Sequence, residues 1–155
     1  MFNLIYSFLT ISFLPLSLLP LSFVPPLVTP SGNLEISSEY VKRFHPIKKT
    51  NRIHHGIDLK AKKGDKVKSI GYGTVFFADS YAGYGKFVSI AHSNGYSSHY
   101  AHLSSICVSV GDKVKASDLI GRVGSTGLST APHLHFEIRK DGESLNPKEL
   151  LEMIR

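Results

Sequence analysis

The 155-residue sequence contains no tryptophan, a single cysteine and, before Glu35, no charged side chain. Because Cys107 has no second cysteine to pair with, an internal disulfide and a metal cage of cysteines are both excluded. Any metal must therefore be held by histidine and carboxylate. All 18 Lys and Arg and all 12 Asp and Glu follow residue 34, which gives that part the charge density of an ordinary soluble domain. This composition excludes a disordered chain, a collagen and a multi-span membrane protein.

Residues 1–34 form an uncharged apolar leader that is long enough to cross a bilayer core of about 30 Å as a helix. We expect an atypical export signal or a membrane anchor, with a wrongly chosen start codon as the alternative. Prolines weaken the case for a membrane helix, and the missing basic residues and cleavage site weaken the case for a signal peptide. We predict one domain over residues 35–155, in which the leader plays no structural part.

The net charge of +6 would suit nucleic acid, anionic lipid or an acidic wall polymer as a partner. However, the basic residues are scattered, apart from short clusters such as the lysines of residues 60–66. Such scattering is typical of a solvated basic face, and we expect no nucleic-acid partner.

Beyond residue 35, short runs of Val, Ile, Phe and Tyr alternate with turn residues, which is the pattern of strands. The predicted strands are 67–70, 74–78, 87–91, 96–103, 119–123 and 134–139. The sequence GDKVK occurs twice, at residues 64–68 and 111–115, which indicates two similar β units. We predict an all-β fold, a small antiparallel sandwich or barrel. A short C-terminal helix is also predicted, with Asn146 as its N-cap and Pro147 as its first residue.

Four of the eight histidines fall in tight local patterns with acidic or aromatic neighbours. His54 and Asp58 are four residues apart, so they share one face, and Gly56 between them leaves room for an approaching group. An imidazole and a carboxylate are ligands of catalytic zinc sites, although a surface histidine beside an aspartate gives the same pattern.

A second pattern is the run PHLHFEI at residues 132–138. In a strand, side chains alternate, which puts His133, His135 and Glu137 on one face and apolar residues on the other. The apolar face suits a core. The polar face is either solvated or bound to a metal, because two imidazoles beside a carboxylate are costly to bury unpaired.

A third pattern, in residues 96–103, contains His102, the fourth of these histidines, and also His99. Strict alternation places His102 with Ser98 and Tyr100 and turns His99 the other way, so we predict His102 as a site residue and His99 as a spectator. The remaining histidines, His45, His55 and His92, have no partner pattern and are expected to be structural or exposed.

Taken together, H-x-G-x-D, Y-x-H-L and STGxSTxPHLHFE resemble the lysostaphin-type zinc endopeptidases of bacterial cell walls, the M23 family with its LytM-like catalytic domains. The resemblance runs from about residue 36 to the C-terminus and includes the motif at residues 43–47 and the glycine-rich residues 121–127. It implies a small β domain built on a duplicated motif, with a groove over the zinc. Ala131 and residues 39–41 depart from the family pattern without touching a ligand.

The resemblance assigns roles by position. It implies that His54, Asp58 and His135 bind one Zn²⁺, and that His102 and His133 are the catalytic histidines. It further implies a zinc-activated water that hydrolyses peptide bonds in the cross-links or stem peptides of peptidoglycan. For Glu137, which adjoins this set, both a ligand-orienting carboxylate and a plain surface carboxylate are open.

We expect an exported monomer in the periplasm or cell envelope, with residues 1–34 as a possible membrane anchor. One alternative is a non-catalytic LytM-like module that activates a separate cell-wall amidase. A biotinyl or lipoyl carrier domain is a second alternative, suggested by the GDKVK repeat, but it leaves the histidines unexplained. The sequence leaves open whether a Gly-Gly bridge or a D-amino-acid cross-link is cut, a choice that we assign to the loops at residues 79–86 and 125–132.

Overall fold

The computed structural model describes residues 23–27, 33–45 and 50–154. Within these ranges the chain forms twelve strands and one α-helix. The strands are β1 (Ile36–Ser38), β2 (Val41–His45), β3 (Thr50–His54), β4 (Ile57–Lys60), β5 (Lys66–Lys68), β6 (Gly73–Tyr81), β7 (Gly85–Ala91), β8 (Tyr96–Ile106), β9 (Lys113–Val114), β10 (Leu119–Val123), β11 (His133–Lys140) and β12 (Glu143–Leu145). The helix is α1 (Pro147–Met153). Within the described residues, no helix has the length and apolar character needed to cross a membrane.

The main sheet is antiparallel, with its strands in the order β1-β4-β11-β8-β7-β6-β9. Strand β8 pairs with β11 through residues 96–101 and with β10 through residues 103–106, so the sheet branches in the middle of β8. Strands β2 and β3 form a separate two-stranded sheet. The all-β prediction is confirmed, and so is the C-terminal helix, where the Asn146 side chain accepts a 3.2 Å hydrogen bond from the Lys148 backbone.

The two GDKVK copies form the same turn. Gly64 and Gly111 have φ angles of +93° and +95°, which glycine adopts without strain. In each copy, the aspartate that follows accepts a 2.8 Å hydrogen bond from the backbone N–H three residues earlier. The strand after the first copy, β5, pairs with β10, whereas the strand after the second copy, β9, pairs with β6. The two units are therefore interlocked, because the short strand of each unit pairs with a strand of the other.

The core lies on one side of the sheet strands that carry the candidate site. Tyr100 and Phe136 are fully buried there, with ring centroids 5.4 Å apart. The apolar residues predicted to alternate along β11, Leu134, Phe136 and Ile138, are all buried. The opposite face of β11 is thus left to its polar residues.

Residues 23–27 pack against the edge of β5. The Val24 N–H donates to the Ile70 carbonyl at 2.7 Å, and the Lys68 N–H donates to the Pro26 carbonyl at 2.9 Å. Leu27 is 3% exposed and belongs to the hydrophobic core. These residues differ from the expectation that the leader takes no part in the domain, because the β5 edge offers backbone groups and apolar surface that they cover. The rest of the predicted leader, residues 1–22 and 28–32, lies outside the described residues.

Candidate metal centre

The candidate metal site is assembled from three strands. Strands β4 and β11 pair so that Asp58 lies directly opposite His135, and His54 is the last residue of β3. The His135 Nδ1 lies 2.9 Å from the Asp58 Oδ1, and the His54 Nε2 lies 3.2 Å from the same oxygen. The two nitrogens are 3.0 Å apart. Three potential ligand atoms thus converge on one point.

Gly56 sets the turn between His54 and Asp58. A Cβ atom at this position would lie 2.2 Å from the Phe136 carbonyl oxygen of β11. The room expected beside Gly56 is present, and the group that approaches there is the backbone of β11. The glycine is needed so that the turn can lie flat against β11 and bring the two side chains to His135.

The hydrogen bonds of the two histidines fix which nitrogen faces the cluster. The His54 Nδ1 lies 2.8 Å from the Glu39 carbonyl oxygen, which can only accept, so this nitrogen carries a proton. The expectation that residues 39–41 do not touch a ligand position is therefore wrong. The His135 Nε2 lies 3.0 Å from the Glu137 Oε1 and donates to it in the same way. In their neutral forms both rings therefore present lone pairs to each other and to Asp58.

The lone pairs of three atoms at such distances repel one another unless a cation lies between them. This cation can be a proton or a metal ion. Two imidazole nitrogens and a carboxylate oxygen are a ligand set that suits zinc. All three potential ligand atoms lie within 4.8 Å of one another. The residues present therefore fit a metal ion.

The pKa shifts of the cluster agree with a site built for positive charge. Burial alone would raise the pKa of Asp58, but hydrogen bonds with His135 and His54 outweigh it and lower that pKa. For His135, burial lowers the pKa, yet the hydrogen bonds with Asp58 and Glu137 raise it to about 8. The hydrogen bond with Asp58 also raises the pKa of His54.

His133 and His102 lie beside this cluster. The His133 Nε2 is 3.7 Å from the Asp58 Oδ1, and its Nδ1 donates to the Ala131 carbonyl at 2.8 Å. The His102 Nδ1 donates to the Thr126 carbonyl at 2.8 Å. The His102 and His133 ring centroids are 4.7 Å apart. Each ring is thus held by a backbone carbonyl, and its Nε2 lone pair is available to accept a proton. Burial lowers the pKa of His102.

His102 reaches the site through a bulge in β8, and not through the strict alternation that the sequence analysis assumed. Tyr100 and Ser98 point into the core, whereas His99 lies opposite Glu137, on the face that carries His135. Two residues of β8, Ala101 and His102, face a single residue of β7, and His102 has a φ angle of +60°. This bulge breaks the alternation and turns His102 to the polar face.

Glu137 is fully buried, so the interpretation as a plain surface carboxylate is wrong. The Tyr84 hydroxyl donates to its Oε1 at 2.8 Å, and Arg139 donates to its Oε2 through two nitrogens at 2.9 and 2.6 Å. Burial would raise the pKa of Glu137, but the hydrogen bonds with His135 and Arg139 lower it to about 2. The sequence pattern gave no signal for Tyr84 or Arg139.

The other histidines lie apart from the cluster. His99 is buried between the Ser89 and Ser97 hydroxyls, at 2.8 and 3.0 Å. His92 bonds the Tyr72 carbonyl at 2.7 Å, and His55 is exposed. Of the motif at residues 43–47, the backbone of residues 43–45 forms the end of β2, whereas its side chains, including that of His45, lie outside the described part of the chain.

A cleft of about 1110 Å³ opens above the cluster. Its walls are three chain segments, residues 37–41, 81–84 and 128–130, and its floor carries the site histidines. The second and third segments belong to the loops that the sequence analysis named, and the Leu128 N–H donates to the Gly83 carbonyl at 2.8 Å. The first segment was not anticipated, because nothing in its sequence marks it as part of a site.

Comparisons of the sequence with known proteins give one matching family and several relatives. The sequence model of peptidase family M23 matches residues 52–147. The DD-carboxypeptidase/endopeptidase Mpg of Neisseria meningitidis serogroup B is 43% identical over 120 residues, which cover 77% of this chain and 28% of that protein. The murein hydrolase activator EnvC of Escherichia coli K12 is 42% identical over 96 residues, which cover 62% of this chain and 23% of that protein. The chain thus spans under a third of the length of these relatives.

Two solved structures share the fold. A zinc-containing peptidase from Vibrio cholerae superimposes with a TM-score of 0.73 at 31% identity, over 81% of this chain and 39% of that one. The catalytic domain of lysostaphin from Staphylococcus simulans gives a TM-score of 0.68 at 33% identity, over 77% of this chain and 93% of that one. The β domain described above therefore corresponds to nearly all of that catalytic domain.

Proposed function

The chain belongs to peptidase family M23, and from this premise we propose that it is a zinc-dependent endopeptidase that hydrolyses peptide bonds in the cross-links or stem peptides of bacterial peptidoglycan. One observation carries the proposal: ligand atoms of His54, Asp58 and His135 converge within hydrogen-bonding distance at the floor of an open cleft. Two further histidines with fixed rings adjoin them. A carrier domain has no use for such a set.

In this proposal His54, Asp58 and His135 hold one zinc ion. When bound, zinc supplies the Lewis acidity that activates a water for attack on a peptide carbonyl. His102 and His133 accept the proton of the attacking water and donate to the developing oxyanion. Their Nδ1 hydrogen bonds to the Thr126 and Ala131 carbonyls support this role, because they hold each ring with Nε2 available.

The names of the relatives support the substrate and the metal. Mpg is named a DD-carboxypeptidase/endopeptidase, and the Vibrio cholerae structure is named a zinc-containing peptidase. Since peptidoglycan lies outside the cytoplasmic membrane, we propose that this protein acts in the periplasm or cell envelope. We propose residues 1–34 as its signal or anchor, of which residues 23–27 stay packed on the domain. We also propose a monomer, because one chain supplies all five site residues.

A second candidate function is the activation of a separate cell-wall amidase. The similarity to EnvC, which is named a murein hydrolase activator, favours it. The filled set of ligand and catalytic positions favours the enzyme.

The test is mass spectrometry of purified peptidoglycan fragments after incubation with the zinc-loaded full chain, with the His135→Ala variant as its control. We expect new fragments that require His135, and their masses would identify the bond. A parallel incubation adds a purified cell-wall amidase. If the chain cleaves nothing alone but increases amidase products, with or without His135, the activator function replaces the peptidase.

The division of roles is tested on the same substrate with two variants. His135→Ala should lose zinc and activity together. His133→Ala should retain most of the zinc but lose about 10²- to 10⁴-fold in rate, as expected for a proton-transfer group. Zinc content by mass spectrometry of the intact protein measures the first effect, and equal zinc loss in both variants would contradict the assignment.

A further inference from the structure

We infer that Glu137 is a positioning residue, which fixes the His135 ring so that Nδ1 faces the metal site. The inference rests on the proposed zinc site and adds a residue that acts on the metal through His135. It is carried by the contacts of one buried carboxylate on the floor of the cleft.

Four hydrogen bonds hold this carboxylate in one orientation. Its Oε1 accepts from the His135 Nε2 at 3.0 Å and from the Tyr84 hydroxyl at 2.8 Å. Its Oε2 accepts from the Arg139 Nε at 2.9 Å and from a terminal guanidinium nitrogen at 2.6 Å. Because both oxygens are occupied and the side chain is fully buried, the carboxylate has little freedom to turn.

The position of Glu137 on β11 explains why it acts on His135. The two residues are separated by one residue in the strand, so both point to the polar face while Phe136 points to the core. Glu137 binds the ring nitrogen opposite to the one that contacts Asp58. It therefore determines the tautomer of His135 and leaves the Nδ1 lone pair for a metal.

The charge of Glu137 is balanced locally. Burying an unpaired carboxylate is strongly unfavourable, and the paired Arg139 guanidinium offsets that penalty. Arg139 is partly exposed and follows Glu137 by two residues, on the same face of the strand. The pair therefore holds His135 without adding net charge beside the metal, which already has Asp58 to balance it.

The experiment measures zinc affinity and the His135 tautomer in the full chain. Glu137→Gln keeps the shape but has only one acceptor oxygen. The Arg139 guanidinium takes that oxygen, so the amide NH₂ group faces the His135 Nε2 and cannot accept its proton. Glu137→Asp keeps the charge but withdraws the carboxylate from His135 by one methylene. The matched control is Glu143→Gln, which removes an exposed carboxylate from the adjacent strand β12.

Competition with a chromophoric chelator should show about 10- to 100-fold weaker zinc binding in both Glu137 variants and wild-type affinity in Glu143→Gln. In the metal-free protein at pH 9.5, ¹⁵N NMR of the imidazole should show the Nε2-protonated form of His135 in the wild type and a mixture of tautomers in the variants. A purely structural role would lower stability without changing the tautomer.

The inference is overturned if either variant is folded, binds zinc within about threefold of wild type and keeps the wild-type tautomer. If Glu137→Gln does not fold, Glu137→Asp decides. Failure of the proposed zinc site has a different result, since the wild-type protein itself would then bind no zinc. Absence of peptidase activity alone would change neither the zinc affinity nor the tautomer readout.

Discussion

Two buried histidines on the polar face of the sheet differ in the charge that their surroundings favour. His135 lies between the carboxylates of Asp58 and Glu137, and its pKa is raised to about 8. His99 lies between two serine hydroxyls and stacks on Phe87. Burial, together with the positive charge of Arg139, lowers the pKa of His99 to about 4. The surroundings of His135 therefore favour a positive charge, whereas those of His99 favour the neutral ring.

The lowered pKa of His99 predicts a loss of stability in mild acid. Because the unfolded chain takes up a proton near pH 6.5 and the folded chain does so only near pH 4, the contribution of His99 is complete above pH 6.5 and declines as the pH falls toward 4. We expect about 2 kcal/mol of unfolding free energy to be lost between pH 7.5 and pH 5 through this residue. Urea unfolding of the metal-free protein at both pH values measures it.

The control for this prediction is His99→Gln, which cannot be protonated. The other histidines titrate alike in both proteins, so the difference between the two pH dependences isolates His99. Parallel stability curves for the wild type and the variant would contradict the prediction.

Local alternation explains which site residues could be predicted from the sequence. His133, His135 and Glu137 were placed on one face correctly, because β11 is a regular strand. The side of β8 to which His102 points depends on a bulge against β7, which is a property of strand pairing and not of the β8 sequence alone. In the same way, the burial of Glu137 depends on Tyr84, which comes from a distant loop.

The close contact between the β3–β4 turn and β11 predicts the effect of a single methyl group. Gly56→Ala would place a carbon 2.2 Å from the Phe136 carbonyl oxygen, so the turn must move away from β11. We expect a loss of about 1–3 kcal/mol in unfolding free energy and weaker zinc binding, because His54 and Asp58 flank the displaced turn. Urea unfolding and chelator competition measure the two effects.

A matched glycine gives the control. An added carbon at Gly83 would meet only the side chain of Leu128, which is 86% exposed and can move aside. Gly83→Ala should therefore leave both quantities near wild type. If Gly56→Ala also left both unchanged, the turn would not determine the position of the two side chains.

The segment of residues 23–27 predicts that the folded domain depends on part of the apolar leader. Leu27→Ala removes a side chain that is 3% exposed and packed in the core, and it should cost about 2–4 kcal/mol of unfolding free energy. Leu128→Ala, at a residue that is 86% exposed, should change it by less than about 0.5 kcal/mol. Urea unfolding distinguishes them, and equal values would show that the segment does not stabilise the domain.

Short elements explain what the sequence pattern missed in the fold. Strands β5 to β8, β10 and β11 overlap the predicted runs of Val, Ile, Phe and Tyr. Strands β1, β9 and β12 have two or three residues each, too few for a visible alternation. Strand β4 was overlooked because its residues were interpreted as part of a ligand motif, although Ile57 and Leu59 are fully buried. The pairing of residues 23–27 with β5 could not be separated from the apolar character of the whole leader.

The interlocked units support the site through strand pairing and a core that do not involve the proposed ligands. Strand β5 pairs with β10 and β9 pairs with β6, so each GDKVK unit is held by the other. The hydrophobic core contains residues from both units and from β4, β8 and β11, but none of the proposed ligands. Hydrogen bonds also join the proposed ligands to one another, and the raised pKa of His135 favours its protonated form, in which a proton supplies the positive charge.

We therefore expect the protein to remain folded when zinc is removed by a chelator. The circular dichroism spectrum of the β structure should persist. The unfolding free energy should fall by the linkage amount, about 2.7 kcal/mol when the free zinc had been 100 times its dissociation constant. Urea unfolding with and without zinc measures this difference, and His135→Ala should show almost none of it. Loss of the folded spectrum on chelation would mean that the metal, rather than the interlocked strands, holds His54, Asp58 and His135 together.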